Sequence, residues 1–484
     1  MDSIDSPDIL RFTLNGQPER AQGIPAHMTL LQYLRSRGYV GTKEGCAEGD
    51  CGACTVAVIG HDADGHAHYQ AVNSCLIPAV AMAGRQVISV EGLAEKDALH
   101  PVQAAMASEG GSQCGYCTPG FIMSMFAAHY NSPDGKVGDQ ALEGNLCRCT
   151  GYLPIRRAGA SLAAPAADDR FVKALQHYQP APLPKVQQAT GQASQPAFYQ
   201  PTNLDDALAL LEDNPKAILI AGSTDLGVEM NHHRLPAQPL ISLEHIPALQ
   251  QLSVDDEAVT IGAALPLSQL ETRLAGVFPA LDTMLFWFAS RQIRNRATVG
   301  GNLATASPIG DLPPVLLALD AELELISRHG SRQLAIADFF QSYRQTALQA
   351  GEIIARVRIP KRLSQGATQR LSQSYKVGKR GTDDISIVSA AFCIDSDAQG
   401  NIVQARLAYG GVAATPLRIS AAEQALLGKS LQQADNPALH NLLQDSVQPI
   451  SDLRASADYR RRLVSNLFRK FLAEQALSSP IPVS

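Results

Sequence analysis

The sequence predicts a multi-domain α+β protein. The chain has 484 residues, which is too long for one hydrophobic core, and domains of about 100 to 200 residues would make three or four units. Its hydrophobic pattern changes along the chain between the alternation that is typical of strands and the longer period that is typical of helices. Apolar residues make up 45% and charged residues 18% of the chain, which is enough apolar material for several packed cores.

The charge balance argues against nucleic acid as a partner. The chain has 40 Lys and Arg against 46 Asp and Glu, a formal net charge of -6, and it has no basic stripe that would follow a phosphate backbone. Its first residues, MDSIDSPDILRF, lack the basic and apolar regions of a signal peptide, and no apolar run reaches the roughly 18 residues that span a bilayer. We therefore expect a cytoplasmic protein that binds neither nucleic acid nor membrane.

The first domain is expected over residues 1–93 and combines strands with one helix. ILRFTLNGQ alternates apolar and polar residues and then meets Asn15-Gly16, a dipeptide typical of β-hairpin turns. TLLQYLRSRG predicts a short helix that ends at Gly38, and TVAVIGHD and HYQAVNSCL predict further strands. A cysteine-rich loop lies between the helix and the next strand.

The rest of the chain divides into four segments that differ in amino-acid composition and in the period of the hydrophobic pattern. Residues 94–162 show helical spacing in PVQAAMASEG, PGFIMSMFAAHYN and LPIRRAGASLAA. Residues 163–197 are rich in Pro, Ala and Gln without periodicity, so we expect a linker. Residues 198–370 mix short strands, glycine loops and one helical run, TMLFWFASRQIR, and residues 371–484 predict strands followed by helices. The three arginines at 460–462 are expected on a solvated helix face.

Eight of the nine cysteines lie before residue 150, which favours metal sites in a reducing compartment over disulfides. The first four have the spacing C-x4-C-x2-C followed by a fourth cysteine, which is typical of a plant-type 2Fe-2S cluster. They are Cys46, Cys51, Cys54 and Cys75. Glycines around them allow the backbone to approach a cluster closely. A zinc site is the alternative, although zinc sites generally use two C-x2-C pairs.

The second set of cysteines has a less specific spacing. Its members are Cys114, Cys117, Cys147 and Cys149. A thioredoxin-like redox pair at CGYC would leave the last two unexplained, and zinc is compatible with the spacing. A helix that starts at Pro119 and a turn in CRCTG could instead bring four thiols around one cluster. The ninth cysteine, Cys393, lies in an apolar strand-like run and is expected in a core.

Two glycine-rich stretches have the composition of phosphate-binding turns. LIAGSTDLG, 219–227, follows a buried strand, and ATVGGNLATASPIGDLPP, 297–314, combines Gly-Gly with hydroxyls and a carboxylate. Exposed backbone N–H groups and hydroxyls bind anions, and a carboxylate can accept from sugar hydroxyls. Ordinary turns are the alternative for each stretch taken alone.

GCAEGDCGACTV, QCGYCTPGF and GNLCRCTGY resemble the two iron–sulfur motifs of the molybdenum hydroxylases, the xanthine dehydrogenase and aldehyde oxidase family, in order and separation. The two glycine stretches resemble the FAD-binding stretches of the same family. The resemblance implies a β-grasp 2Fe-2S ferredoxin-like domain, a helical 2Fe-2S-binding domain, a vanillyl-alcohol-oxidase-type FAD-binding domain and a CO-dehydrogenase-flavoprotein-like C-terminal domain. One departure is Leu153, where the family commonly has arginine, and Gln113 matches a glutamine that touches the pterin.

The resemblance also implies the site residues. The two sets of cysteines would be the iron ligands. The FAD contacts would be Leu219, Ile220, Ala221, Gly222, Ser223, Thr224, Asp225, Leu226, Phe288, Thr298, Val299, Gly300, Gly301, Asn302, Asp311, Ile354 and Lys376. No residue of this chain would be catalytic for the hydroxylation itself.

By the same resemblance, the chain is expected to be the iron–sulfur and FAD subunit of a xanthine-oxidising enzyme. It would pass electrons from the molybdopterin site of a large partner subunit through two 2Fe-2S clusters to FAD and on to NAD, while hypoxanthine or xanthine becomes urate. A heterotetramer of two small and two large subunits is expected. The alternatives are the same module of an aldehyde- or N-heterocycle-oxidising enzyme, a stand-alone electron-transfer flavoprotein, and a non-enzymatic zinc module.

Overall fold

The structure, a computed structural model, describes residues 9–62, 64–95, 98–180, 188–189 and 196–478. The chain forms two compact units. The first contains residues 1–247, 266–269 and 289–297, and the second contains residues 248–265, 270–288 and 298–484. No helix among the described residues combines the length and hydropathy that crossing a membrane requires.

The first unit begins with a five-stranded sheet in the order β2-β1-β5-β3-β4. Its elements are β1 (Ile9–Leu14), β2 (Gln17–Gln22), α1 (Leu30–Ser36), β3 (Thr55–His61), β4 (Ala67–Asn73) and β5 (Gln86–Ile88). The predicted hairpin is present, because Asn15 and Gly16 both have positive φ, 53° and 78°, as a tight two-residue turn requires. The predicted helix begins after Thr29, whose hydroxyl accepts from the Gln32 N–H at 3.2 Å.

The helical part of the first unit packs on this sheet. Its helices are α2 (Pro101–Ser108), α3 (Thr118–Asn131), α4 (Leu153–Ala160) and α5 (Arg170–Gln176). The first three match the predicted helical runs. Helix α5 lies inside the segment 163–197 that was expected to be a linker, so that expectation is wrong for this stretch. Asp169 caps its N-terminus, and Phe171 is buried against Tyr69 of β4.

The last part of the first unit is a small sheet in the order β6-β7-β9-β8. Its elements are β6 (Gln188–Ala189), β7 (Phe198–Tyr199), α6 (Leu204–Asp213), β8 (Ile218–Ile220), α7 (Leu226–Asn231) and β9 (Leu240–Ser242). Phe198, Ile220 and Leu240 are buried in the same hydrophobic cluster as Leu30 of α1 and Val56 of β3. The strand that precedes the first glycine stretch is therefore packed on the cysteine-bearing domain.

The second unit begins with an antiparallel sheet in the order β10-β11-β16-β12-β13. In chain order, the elements from the first to the last strand of this sheet are β10 (Leu252–Val254), β11 (Ala258–Gly262), α8 (Leu267–Arg273), α9 (Pro279–Trp287), α10 (Arg291–Arg294), α11 (Val299–Ala304), α12 (Leu312–Ala318), β12 (Glu322–Ser327), β13 (Gly330–Ala335), β14 (Phe340–Ser342), β15 (Gln345–Thr346) and β16 (Ile353–Pro360). The predicted helix TMLFWFASRQIR is interrupted, because Ala289 has a φ of 44° and separates α9 from α10. Helix α10 belongs to the first unit.

The C-terminal part of the second unit has four antiparallel strands and four helices. They are β17 (Gln369–Val377), β18 (Val388–Ser396), β19 (Ile402–Gly410), β20 (Leu417–Arg418), α13 (Ser420–Leu426), α14 (Leu431–Ala434), α15 (Pro437–Asp445) and α16 (Ala457–Ser478). Phe392 packs on Phe468 and Phe471 in the core, and Cys393 is buried as expected. The position of Arg460 contradicts the prediction that residues 460–462 lie on a solvated helix face. Arg460 is buried and donates to both carboxylate oxygens of Asp452 at 2.9 Å.

Candidate functional site

The first set of cysteines (Cys46, Cys51, Cys54 and Cys75) gathers as two pairs. The Cys46 N–H donates to the Sγ of Cys51 at 3.3 Å, and the Sγ atoms of Cys54 and Cys75 are 3.3 Å apart. Cys54 and Cys75 are buried, whereas Cys46 and Cys51 are partly exposed. A 2Fe-2S cluster has two irons, each of which takes two protein ligands. Two adjacent thiol pairs are the donor set that such a cluster needs.

The backbone of this loop leaves room for a cluster beside the sulfurs. A Cβ on Gly45 would lie 2.6 Å from the Sγ of Cys51, so any side chain there would occupy the sulfur's surroundings. Gly49 and Gly52 have φ values of 80° and 66°, which favour glycine. The Glu48 N–H donates to the Sγ of Cys46 at 3.3 Å, the kind of contact that stabilises a thiolate.

Each pair of the first set contains one more acidic and one less acidic thiol. A hydrogen bond from Cys51 and backbone N–H groups outweigh burial and lower the pKa of Cys46 to about 5, and the same hydrogen bond raises the pKa of Cys51. The hydrogen bond between Cys54 and Cys75 lowers the pKa of the first and raises that of the second. Thiolates are the form that binds metal, and in each pair the pKa of one thiol is shifted towards that form.

The second set of cysteines (Cys114, Cys117, Cys147 and Cys149) also gathers as two pairs, across 30 residues of chain. Cys114 hydrogen-bonds with Cys149, and Cys117 with Cys147. Cys147 also accepts the N–H of Thr150 at 3.4 Å. Because CGYC is paired with CRC rather than with itself, the thioredoxin-like alternative is unsupported.

The loops that bear the two sets touch each other through their backbones. The Leu146 N–H donates to the carbonyl oxygen of Cys51 at 3.0 Å. A Cβ on Gly120, just after Cys117, would overlap the carbonyl oxygen of Gly52. Cys51 and Cys147 are therefore separated by one hydrogen bond and one residue, a short route for electrons between two clusters.

A buried polar network surrounds this contact. The Asn145 amide donates to the Gly52 carbonyl oxygen at 3.0 Å, and its Oδ1 accepts from Ser124 at 2.7 Å and from Gln292 at 3.0 Å. All three polar side chains are at most 2% exposed. Our sequence reasoning missed them. Asn145 stands two residues before Cys147, but nothing in the sequence around Gln292 indicates that it contacts the loops of the cysteines.

The stretch 219–226, which the resemblance assigns to the flavin and which we call the flavin loop, contacts Leu76, the residue after Cys75. It runs from the end of β8 through Ser223, which has a φ of 67°, into α7. The Ser223 hydroxyl donates to the carbonyl oxygen of Leu76 at 2.6 Å, and a Cβ on Gly227 would overlap that same oxygen. A Cβ on Gly222 would overlap the carbonyl oxygen of Arg296. These close approaches explain Gly222 of the loop, and Gly227 directly after it, without a ligand.

The other predicted FAD contacts belong to the second unit. Thr298 caps α11 by accepting from the Gly301 N–H at 3.0 Å. The Oδ1 atom of Asn302 is buried and has no hydrogen-bond partner among the described residues, and only the Thr298 hydroxyl lies near the position of a Cβ on Gly301. An unpartnered buried acceptor beside an open glycine is compatible with a polar ligand at this helix.

Ile354 lies close to this helix through the backbone of Ala263. The Ala263 N–H donates to Ala355 at 2.9 Å, and its carbonyl oxygen accepts from Gly300 at 2.9 Å. Ile354 and Val299 are themselves buried. The structure therefore brings the start of β16 close to Gly300 in the first turn of α11.

Asp311 and Lys376 form a buried ion pair. The Lys376 ammonium is 2.8 Å from the carboxylate and also donates to the Trp287 carbonyl oxygen at 3.1 Å, next to the buried Phe288. The Ser386 hydroxyl donates to the other carboxylate oxygen of Asp311 at 2.5 Å. The resemblance assigned Asp311 and Lys376 to FAD as two separate contacts. In the structure these two residues form an ion pair with each other.

Four family models match successive parts of the chain. They are a 2Fe-2S iron-sulfur cluster binding domain at 12–80, a 2Fe-2S binding domain at 89–160, an FAD binding domain in molybdopterin dehydrogenase at 191–362, and a CO dehydrogenase flavoprotein C-terminal domain at 373–475. The matches confirm the predicted fold class. They also support two 2Fe-2S domains and one FAD-binding domain.

Individual relatives agree with these models. Xanthine dehydrogenase 2 of Arabidopsis thaliana is 34% identical over an alignment that covers 92% of this chain and 38% of the relative. Among solved structures, carbon monoxide dehydrogenase from Hydrogenophaga pseudoflava is 28% identical with a TM-score of 0.53, covering 56% of this chain and 94% of that chain. Quinoline 2-oxidoreductase from Pseudomonas putida 86 is 26% identical with a TM-score of 0.53, covering 58% and 96%.

The chain spans about two fifths of the length of the curated relatives that it matches. Within that length it contains, in order, both iron–sulfur domains, the FAD-binding domain and the flavoprotein C-terminal domain. The chain therefore matches the iron–sulfur and FAD-binding electron-transfer module of the molybdenum hydroxylases.

Proposed function

We propose that this module serves a xanthine dehydrogenase, in which a partner oxidises hypoxanthine or xanthine to urate and NAD is the final electron acceptor. The observation that carries the proposal is the continuous contact from the second set of cysteines through the first set to the flavin loop. The Leu146–Cys51 hydrogen bond joins the two sets, and the Ser223–Leu76 hydrogen bond joins the first set to the flavin loop. The similarity to a xanthine dehydrogenase over 92% of the chain supports the substrate class.

In this proposal the eight cysteines are the iron ligands, and each observed thiol pair binds one iron. The flavin loop binds the FAD pyrophosphate, and residues 298–302, Asp311, Phe288, Ile354 and Lys376 make the remaining FAD contacts. When bound, the clusters would supply one-electron transfer, and FAD would supply the conversion of single electrons into the hydride that NAD accepts. The chain's own residues hold these groups, enclose them in backbone and determine their spacing.

The molybdopterin is assigned to a large partner subunit, in a heterotetramer of two large and two small subunits. The general base for hydroxylation belongs to that partner, and Gln113, which is exposed beside Cys114, would face its pterin. The four domains are taken as 1–93, 94–162, 198–370 and 371–484.

The test is to isolate the native complex and assay iron, acid-labile sulfide, FAD and molybdenum, together with urate formation from xanthine and NAD. We expect four irons and one FAD per chain, a co-purifying molybdenum subunit, and urate with NAD reduction. Absence of iron would overturn the electron-transfer assignment. A full set of cofactors without urate formation would overturn only the assignment of xanthine as the substrate.

An N-heterocycle is the second candidate substrate, because quinoline 2-oxidoreductase is among the similar structures. The same preparation distinguishes it. Hydroxylation of quinoline with no activity on xanthine would establish this candidate in place of the first.

A further inference from the structure

We propose that Asn231 is a positioning residue that fixes the backbone around the first set of cysteines and raises the reduction potential of the cluster bound there. The inference rests on the proposed function, because it takes the four thiols of that set as cluster ligands. Asn231 is the last residue of α7, the helix that follows the flavin loop. No sequence motif singled it out.

The side-chain amide of Asn231 donates to two carbonyl oxygens from separate parts of the chain. One belongs to Ala47 at 2.7 Å and the other to Cys75 at 2.8 Å. Ala47 follows Cys46, which belongs to one thiol pair, and Cys75 belongs to the other pair. A single amide group therefore spans the two pairs and links both to the element that follows the flavin loop.

The conformation of Ala47 makes this contact more than incidental packing. Its φ is 57°, a left-handed conformation that residues other than glycine adopt only when the surrounding structure holds them there. The hydrogen bond from Asn231 to the Ala47 carbonyl oxygen fixes the peptide that follows this residue. Loss of the amide would let the segment between Cys46 and Cys51 relax away from its present path.

The electrostatic effect has a definite sign. The amide presents the positive ends of its N–H bonds to two carbonyl groups that are within one residue of cluster ligands. A one-electron reduction makes a cluster more negative, so positive dipole ends nearby favour the reduced state. Removing the donors should lower the reduction potential of the first cluster and leave that of the second cluster unchanged.

The test uses the full chain purified with its iron and FAD. Asn231→Leu keeps the volume without the donors, Asn231→Ala is a smaller alternative, and Asn214→Leu is the matched control. The Asn214 amide donates to a single backbone carbonyl, that of Leu210 at 2.9 Å, far along the chain from the cysteines. Redox titrations are followed by electron paramagnetic resonance, and a Cys114→Ala variant assigns the signal of the second cluster.

For Asn231→Leu we expect the ratio of reduced to oxidised first cluster to decrease by about 10-fold at a given potential, equivalent to about 59 mV for one electron, with the ratio for the second cluster unchanged. Its resonance signal should also broaden as the loop relaxes. Asn214→Leu should match the unmodified chain. Selective loss of iron from the first set in both Asn231 variants, with the second cluster and FAD retained, would equally support the positioning role.

Unchanged potentials and spectra in an Asn231 variant with full iron content would overturn the inference. Equal shifts of both clusters would also overturn it, because they would indicate general destabilisation. If the unmodified chain held no iron, the proposed function would fail instead, so the two failures are distinguishable.

Discussion

The N–H of Leu146 donates to the carbonyl oxygen of Cys51 at 3.0 Å, so the loops of the two sets of cysteines share a backbone hydrogen bond. Leu146 directly precedes Cys147, and the contact therefore runs from one candidate ligand to within one residue of another. Backbone hydrogen bonds of this kind fix distance more firmly than exposed side-chain contacts. The polar residues that hold this contact are the first that mutation should test.

Asn145→Leu should destabilise the first unit by about 1–3 kcal/mol, because it leaves Ser124 and Gln292 with buried polar atoms that lose their acceptor. Denaturant unfolding followed by circular dichroism measures the effect. The double variant Asn145→Leu/Gln292→Leu should lose less unfolding free energy than the two single variants lose together, since the two side chains share one network. Strict additivity would contradict the network.

Gly52→Ala should reduce iron incorporation into both sets of cysteines. Gly52 has a φ of 66°, and an added Cβ would overlap the carbonyl oxygen of Gly144 and the side chain of Asn145. Iron and acid-labile sulfide per chain measure the result. Gly65→Ala is the matched control, because Gly65 has a φ of 84° but nothing lies within 4 Å of the added Cβ. Equal iron loss in both variants would assign the effect to backbone strain alone.

Glu244 should make the first unit acid-sensitive. Burial would raise its pKa, but the guanidinium groups of Arg296 and Arg85 outweigh burial and lower that pKa from 4.5 to about 2. A carboxylate with a lowered pKa contributes its full stability above about pH 4.5 and loses it as the pH falls towards about 2. Burial also lowers the pKa of the neighbouring His245 from 6.5 to about 4, so the stability that its neutral form contributes is lost earlier, as the pH falls from about 6.5 to about 4.

The Glu244→Gln variant tests this ion pair. At neutral pH the free energy of unfolding of this variant should be about 3–5 kcal/mol lower, because two largely buried guanidinium groups lose their counter-ion. The difference in unfolding free energy between variant and unmodified chain should shrink as the pH drops below about 4.5. A difference that stays constant over that range would contradict the assignment. Glu322→Gln, which breaks an exposed 3.4 Å pair with Arg358, should change stability by less than about 1 kcal/mol.

Lys376→Met should weaken FAD retention and destabilise the second unit by about 3–5 kcal/mol, because Asp311 would remain buried without its counter-ion. FAD released during gel filtration and denaturant unfolding measure the two effects. Lys361→Met is the control, since that ammonium donates to the backbone carbonyl oxygen of Asp255. The double variant Lys376→Met/Asp311→Asn should recover part of the stability, and no recovery would show that the pair is not coupled.

The sequence predicted local structure and the kinds of domain well wherever one short stretch contains its own signal. Asn15-Gly16 favours a hairpin by backbone preference alone, and the spacing from Cys46 to Cys54 is typical of a 2Fe-2S site. The prediction failed where the signal is weak or divided. Helix α5 lay within a segment that is otherwise rich in Pro and Gln, and Arg460 was assigned to the solvent because nothing local indicates that Asp452 would neutralise it.

The sequence by itself therefore predicted the order of the domains, the cysteines that could bind iron, and the family that the chain resembles. Only the tertiary structure decided which thiols pair, how the two loops touch, and that Asn231, Asn145 and Gln292 hold them. The reason is physical. A cluster-type motif depends on residue types at fixed spacing along the chain, whereas a hydrogen bond between residues 145 and 292 depends on two distant segments being folded together, which no local pattern encodes.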